Sequence, residues 1–178
     1  ATKSNTNNAD ATPKPIEPLA FIQKVLPHAE KAAKALGIAT ETILAQTALE
    51  TGWGRASGTK DGAHHYFGIK AGASWQGKST AKPTIEFEQG VPKKTVERFR
   101  AYPNIESAFD DYVQFLKSSG RYQDALAHNG SAQTFVEGLQ RGGYATDPSY
   151  ADKILRIQNG EFFNSVLKEA RNLLSTMK

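Results

Sequence analysis

The chain has 178 residues, 39% hydrophobic and 22% charged, with a formal net charge of +4 and no cysteine. That length buries a core without staples, and the missing cysteines exclude disulfides, thiolate nucleophiles and zinc-thiolate sites together. No run approaches the roughly 18 apolar residues of a membrane span, and the modest positive charge suits any anionic polymer, so it selects neither nucleic acid nor cell wall.

Residues 1–18 combine Ser, Thr, Asn and Asp with Pro13, Pro15 and Pro18 and offer almost nothing apolar to bury. They read as a tail or linker, with a single domain from 19 to 178. The chain opens Ala1-Thr2-Lys3-Ser4, as a mature form or a piece of a longer protein would. From Leu19 the apolar positions Ile22, Leu26, Ala29, Ala33 and Leu36 recur at helical spacing, and Gly37 marks a stop. Thr40 then offers an N-cap for a second helix that runs past Leu49 and ends at Gly52.

That helix carries the most informative carboxylate of the chain. Glu50 falls in the last turn, where the negative end of the helix dipole disfavours an ionised carboxyl, and burial against Leu49 or Trp53 acts in the same direction. An acid that keeps its proton near neutral pH is what a glycosidase needs to protonate a leaving oxygen. Beyond it, residues 51–77 lose periodicity and become glycine-rich, with Trp53, Tyr66, Phe67 and Trp75 spread along a loop where aromatic rings can serve as sugar platforms. His64-His65 is rejected as a metal pair, because adjacent side chains diverge and no third ligand stands at a familiar spacing. No pattern calls for a cofactor.

Thr84–Glu88 and Lys93–Phe99 flank Gln89-Gly90-Val91-Pro92 and predict a β-hairpin with a four-residue loop. Its period of two puts Ile85 and Phe87 on one face and Glu86 with Glu88 on the other. Glycoside hydrolysis uses two carboxyl groups, and alternation alone leaves Glu86 and Glu88 equally eligible as the second. After the hairpin, Asn104 caps a helix with an apolar stripe from Ile105 to Leu116, and Ser131 caps a shorter one through Leu139. Asp147-Pro148 opens another, Asn159-Gly160 breaks the chain, and a final helix presents Phe163, Val166, Leu167, Ala170, Leu173 and Leu174 on one face. The fold class is α+β and mainly α, a helical body with one small β element inserted after the second helix.

Five ordered blocks carry a family likeness: ILAQTALETGWG (43–54), HHYFGIKAGASWQGKS (64–79), TIEFEQG (84–90), ERFRAYPNIESAFDDYVQFLKSSGRY (97–122) and GGYATDPSYADKI (142–154). Together they resemble the peptidoglycan-hydrolysing domains of flagellar rod-capping proteins, β-N-acetylglucosaminidases of glycoside hydrolase family 73. The resemblance implies a lysozyme-like fold whose helical lobe and β-hairpin lobe enclose a cleft. It implies an endo-acting enzyme that cuts the β-1,4 bond after N-acetylglucosamine in peptidoglycan, in the periplasm, to let the flagellar rod pass. By the same resemblance Glu50 is the acid, Glu86 the second carboxylate and Tyr144 a positioning residue, with Trp53, Phe67, Trp75, Asp111 and Tyr150 toward substrate. Partners would be glycan strands, and flagellar rod proteins through a rod-assembly domain that this chain lacks. Competing readings are a lytic transglycosylase, which needs one acid and the sugar's own hydroxyl, and a wall-binding module without catalysis. A nucleic-acid binder has only the basic charge in its favour.

Overall fold

The computed structural model describes residues 18–55 and 62–177, so the tail expected before Pro18 lies outside the described residues. Helix α1 (Pro18–Leu36) buries Phe21, Ile22, Val25, Leu26, Ala29, Ala32, Ala33 and Leu36 on one face. Pro27 sits inside it on the exposed side, where the carbonyl left without a donor can be hydrated. Helix α2 (Thr40–Thr51) is buried on almost every side from Thr42 to Ala48, as befits a helix in the centre of a domain. Its N-cap is Ala39 and not Thr40, and no side chain caps the start; Thr40 is already the first helical residue. At the other end Gly52 is left-handed (φ 55°) and the Trp53 N–H reaches back to the Ala48 carbonyl at 2.9 Å, so the helix stops one residue after its last turn has presented Glu50.

Strands β1 (Ser79–Glu88) and β2 (Val91–Arg100) form a two-stranded antiparallel hairpin, with Glu88 opposite Val91 and Ser79 opposite Arg100. The connecting loop is two residues long, not four: Gln89 (φ 52°) and Gly90 (φ 79°) are both left-handed, the signature of a type I′ turn. Pro92 misled the sequence reading. It pairs opposite Phe87, one step from the pair that closes the turn, and at that step amide groups point away from the partner strand. A proline there costs the ladder nothing. A bridge from Lys70 to Phe99 ties the incoming segment to β2.

The helical body resumes with α3 (Ile105–Ser118), whose cap Asn104 accepts the Ser107 N–H at 2.7 Å. A 3-10 turn (Gly120–Tyr122) and the short α4 (Gln123–Leu126), neither expected from the sequence, lead to α5 (Ala132–Arg141), capped by Ser131. Helix α6 (Tyr150–Gln158) starts two residues later than Asp147-Pro148 suggested; Asp147 instead accepts the Ser149 N–H at 2.8 Å and shapes the turn before it. Helix α7 (Glu161–Thr176) completes the chain. Helix α2 packs against α1 and α6, while α1 also carries α3 and α7, so the core is helical and the hairpin stands as a second lobe beside it. No helix among the described residues is long and apolar enough to cross a membrane.

Candidate active site

A cavity of about 590 Å³ lies where the last turn of α2, the segment 68–74, the hairpin, the loop 143–147 and the start of α6 meet. Glu50 and Glu86 both line it. Stretches far apart in the chain converge here, with Phe115, Arg121 and Tyr122 completing the lining, which no local pattern could reveal.

Glu50 enters from α2. The Tyr150 hydroxyl donates to its Oε1 at 2.8 Å, and its Oε2 lies against Gly68. A Cβ added at Gly68 would come within 2.6 Å of Oε2, and its backbone is left-handed (φ 60°), so both space and conformation require glycine there. Burial disfavours the ionised form of Glu50 and outweighs the Tyr150 hydrogen bond and the Lys82 charge, which act the other way, while the negative charge of Glu86 adds to burial. The carboxyl is pushed up to about 7 and keeps a proton where ordinary glutamates have lost theirs.

Glu86 enters from β1 with the opposite electrostatics. Burial raises it, but the Thr146 hydroxyl donates to Oε2 at 2.5 Å, Lys70 Nζ lies 2.9 Å from Oε1, and the Lys70 charge completes a net downward shift. Glu88, its rival, is an exposed side chain paired with Lys93 at 2.5 Å and does not line the cavity. The register that places Glu86 inward turns Ile85 and Val96 to solvent, 56% and 64% exposed. Two carboxyls whose surroundings drive their proton affinities apart form an acid–base pair.

The other sequence candidates fall into distinct places. Tyr150 and Tyr144 both line the cavity. The Tyr144 hydroxyl donates to the Phe67 carbonyl at 2.6 Å, its ring lies 5.7 Å from that of Tyr150, and burial holds its phenol well above the usual range, so it stays protonated. Phe67 presents only its carbonyl to this set: its ring is buried and stacked on Tyr112 at 3.8 Å. Trp53 does not line the cavity; it packs on Phe162 and Phe163 of α7 at 5.3 and 6.0 Å. Trp75 likewise faces Tyr102 and lies 4.5 Å from the Arg100 guanidinium, with its indole N–H on the Lys78 carbonyl. Asp111 holds Arg100 at 3.0 and 3.2 Å and accepts the Tyr102 hydroxyl, anchoring the end of β2 to α3, whereas the neighbouring Asp110 points to Lys31. Trp53, Trp75, the Phe67 ring and Asp111 thus make their contacts within the protein and do not line the cavity.

Sequence reasoning missed Thr146, Lys70, Gly68 and Gln46. The first three come from loops whose approach to the carboxyls is tertiary. Gln46 carried a legible signal, since it lies one helical turn before Glu50 on the same face.

A mainly helical α+β fold, lysozyme-like in its two lobes, with a protonated and an ionised carboxyl across the cleft, defines a glycoside hydrolase. A family model described as mannosyl-glycoprotein endo-beta-N-acetylglucosaminidase matches residues 26–161, and the chain belongs to this glucosaminidase family. It is 45% identical over 143 residues to the peptidoglycan hydrolase FlgJ of Vibrio parahaemolyticus, covering 79% of this chain and 46% of that protein. Against the FlgJ of Pseudomonas aeruginosa it is 45% identical over 140 residues, covering 77% of this chain and 35% of the relative. The chain therefore spans half or less of the length of these curated relatives. Among solved structures, a peptidoglycan hydrolase from Sphingomonas sp. A1 superposes with a TM-score of 0.75 at 42% identity, over 85% of this chain and 94% of that one. The glycoside hydrolase domain of Salmonella typhimurium FlgJ gives 0.57 at 30%, over 90% and 92%.

Proposed function

We propose that the chain is an endo-β-N-acetylglucosaminidase that cleaves the β-1,4 bond after N-acetylglucosamine in peptidoglycan. The observation that carries this reading is the divergence of the two carboxyls: Glu50 protonated up to about pH 7 by burial, and Glu86 held ionised by Lys70 and Thr146. Glu50 donates its proton to the bridging oxygen as the bond to the anomeric carbon breaks. Glu86 stabilises the positive charge that develops on the sugar and takes the proton released by the water that adds to the anomeric carbon. Tyr144, with its own proton committed to the Phe67 carbonyl, serves as a fixed wall for the sugar and not as a proton carrier.

The peptidoglycan substrate is supported by the names of the FlgJ relatives and of the Sphingomonas hydrolase. The same relatives support an extracytoplasmic reaction, in the periplasm, where a flagellar rod needs a passage through the wall.

Digestion of purified peptidoglycan followed by mass spectrometry tests the proposal. New reducing-end N-acetylglucosamine is expected, with none from Glu50→Gln, which should still sediment with the wall. Anhydromuramic ends would make the chain a lytic transglycosylase, and sedimentation without cleavage by the unaltered chain would make it a binding module.

A further inference from the structure

Gln46 is 1% exposed in the middle of α2, one turn before Glu50, and every polar atom of its side chain has an assigned partner. The Tyr112 hydroxyl, itself fully buried, donates to Gln46 Oε1 at 2.5 Å. Gln46 Nε2 donates to the Tyr150 oxygen at 2.9 Å, and Tyr150 donates to Glu50 Oε1 at 2.8 Å. Each phenol owns one proton, and an amide nitrogen has no lone pair to accept another. The chain therefore runs in one sense only, from Tyr112 through Gln46 and Tyr150 to the acid.

We propose that Gln46 is a positioning residue for Glu50: its amide, held by Tyr112, directs the single hydroxyl proton of Tyr150 onto Oε1 and leaves Oε2 as the oxygen that carries the transferable proton. The inference rests on the reading of Glu50 as the acid. Oε2 is the oxygen beside Gly68, which itself lines the cavity and has no side chain to crowd that oxygen. Without the amide, Tyr150 can turn and accept the Glu50 proton on Oε1, so the acid would spend its proton inside the protein instead of on the glycosidic oxygen. The other charged or titratable groups facing Glu50 are Lys82 and Glu86 from the hairpin, Tyr112 from α3 and Tyr144 from the loop after α5; of these only Tyr112 touches Gln46, and Tyr112→Phe controls for the acceptor it loses.

Steady-state kinetics against pH on glycan oligomers, with melting temperatures, test this on Gln46→Met, Tyr112→Phe, Tyr150→Phe and the Gln46→Met/Tyr150→Phe double variant. Loss of a correctly held acid proton should lower kcat by about tenfold or more, with KM little changed. The alkaline limb of the profile should move to higher pH, because the donor that favours ionised Glu50 is weakened. The double variant should be no worse than Tyr150→Phe alone, since the two residues act in series. A folded Gln46→Met with unaltered kcat and alkaline limb overturns the proposal, as does a fall in melting temperature with no kinetic change. If Gln46→Met does not fold, Tyr112→Phe decides by the same criteria, since its ring and packing are preserved. Glu50→Gln separates the two levels: residual lysis by that variant sinks the acid itself, whereas an inactive Glu50→Gln beside unaffected Gln46→Met and Tyr112→Phe sinks only the relay.

Discussion

Thr146 Oγ1 lies 2.5 Å from Glu86 Oε2 and also accepts the Phe87 N–H at 2.9 Å, so one side chain of the helical lobe, 60 residues further along the chain, holds both a carboxyl and the backbone of the hairpin. The Phe87 amide is available because it points out of the two-stranded ladder. Thr146→Val should cost about 1.5 kcal/mol, the low end for a hydrogen bond to a charged group because the contact is solvent-exposed. It should also move the acidic limb of the pH–rate profile to higher pH, because a donor that lowers Glu86 is gone. Faster hydrogen exchange at Phe87 would identify the same contact directly; unchanged exchange would show that the latch does not hold the hairpin.

Lys70 acts on the other oxygen of Glu86, at 2.9 Å. Lys70→Met removes both a hydrogen bond and a charge that favour the ionised form. The acidic limb should rise further than in Thr146→Val, and the alkaline limb, set by Glu50, should stay near 7. Potentiometric or kinetic titration checks both limbs in one experiment.

Glu50 also makes stability depend on pH. Its folded value of about 7 exceeds the ordinary 4.5, so the folded chain binds the proton more tightly than the unfolded one. The associated stability is fully present below about 4.5 and is lost as pH rises through about 7. Glu50→Gln, which cannot ionise, should therefore melt higher than the unaltered chain at pH 8, by up to roughly 3 kcal/mol, and show no such advantage at pH 4. Equal melting curves at both pH values would mean that the carboxyl is well solvated.

Gly68→Ala places a methyl group 2.6 Å from Glu50 Oε2 on a left-handed backbone. The conformation alone should cost about 1–2 kcal/mol. Because the collision falls on the acid, lysis should fall far more than the loss of stability accounts for, and a specific activity measured well below the melting temperature distinguishes the two.

Trp53→Ala should do the reverse. The ring packs on Phe162 and Phe163 and does not line the cleft, so truncation should lower stability by about 3 kcal/mol, the low end for a tryptophan because the ring is only half-buried, while KM for glycan oligomers holds. A large rise in KM at unchanged melting temperature would return Trp53 to the substrate.

Much of this protein was legible from local chemistry. Period-3.6 stripes, Asn104 and Ser131 caps and the Gly37 and Gly52 stops located most of the longer helices, because each depends on groups within one turn of each other. Glu50 stood out on the same grounds, as a carboxyl at a helix C-terminus beside large apolar residues. The loop of the hairpin was misjudged because a proline is a turn residue in most settings, and only the strand register shows that Pro92 occupies a position needing no amide.

The sequence by itself determined the order of the longer helices and the hairpin, the residues with glycosidase chemistry and the face that Glu86 shares with Glu88, since helix and strand periods are properties of the backbone. Tertiary structure alone decided which aromatics line the cleft and which pack within the protein, that Glu88 stays outside the cavity, and that Tyr112, Gln46 and Tyr150 line up behind the acid. The reason is physical: proton affinity and ring contacts are set by what surrounds a side chain, and around Glu50 those surroundings include Gly68, Glu86 and Tyr150, brought together from distant stretches of chain.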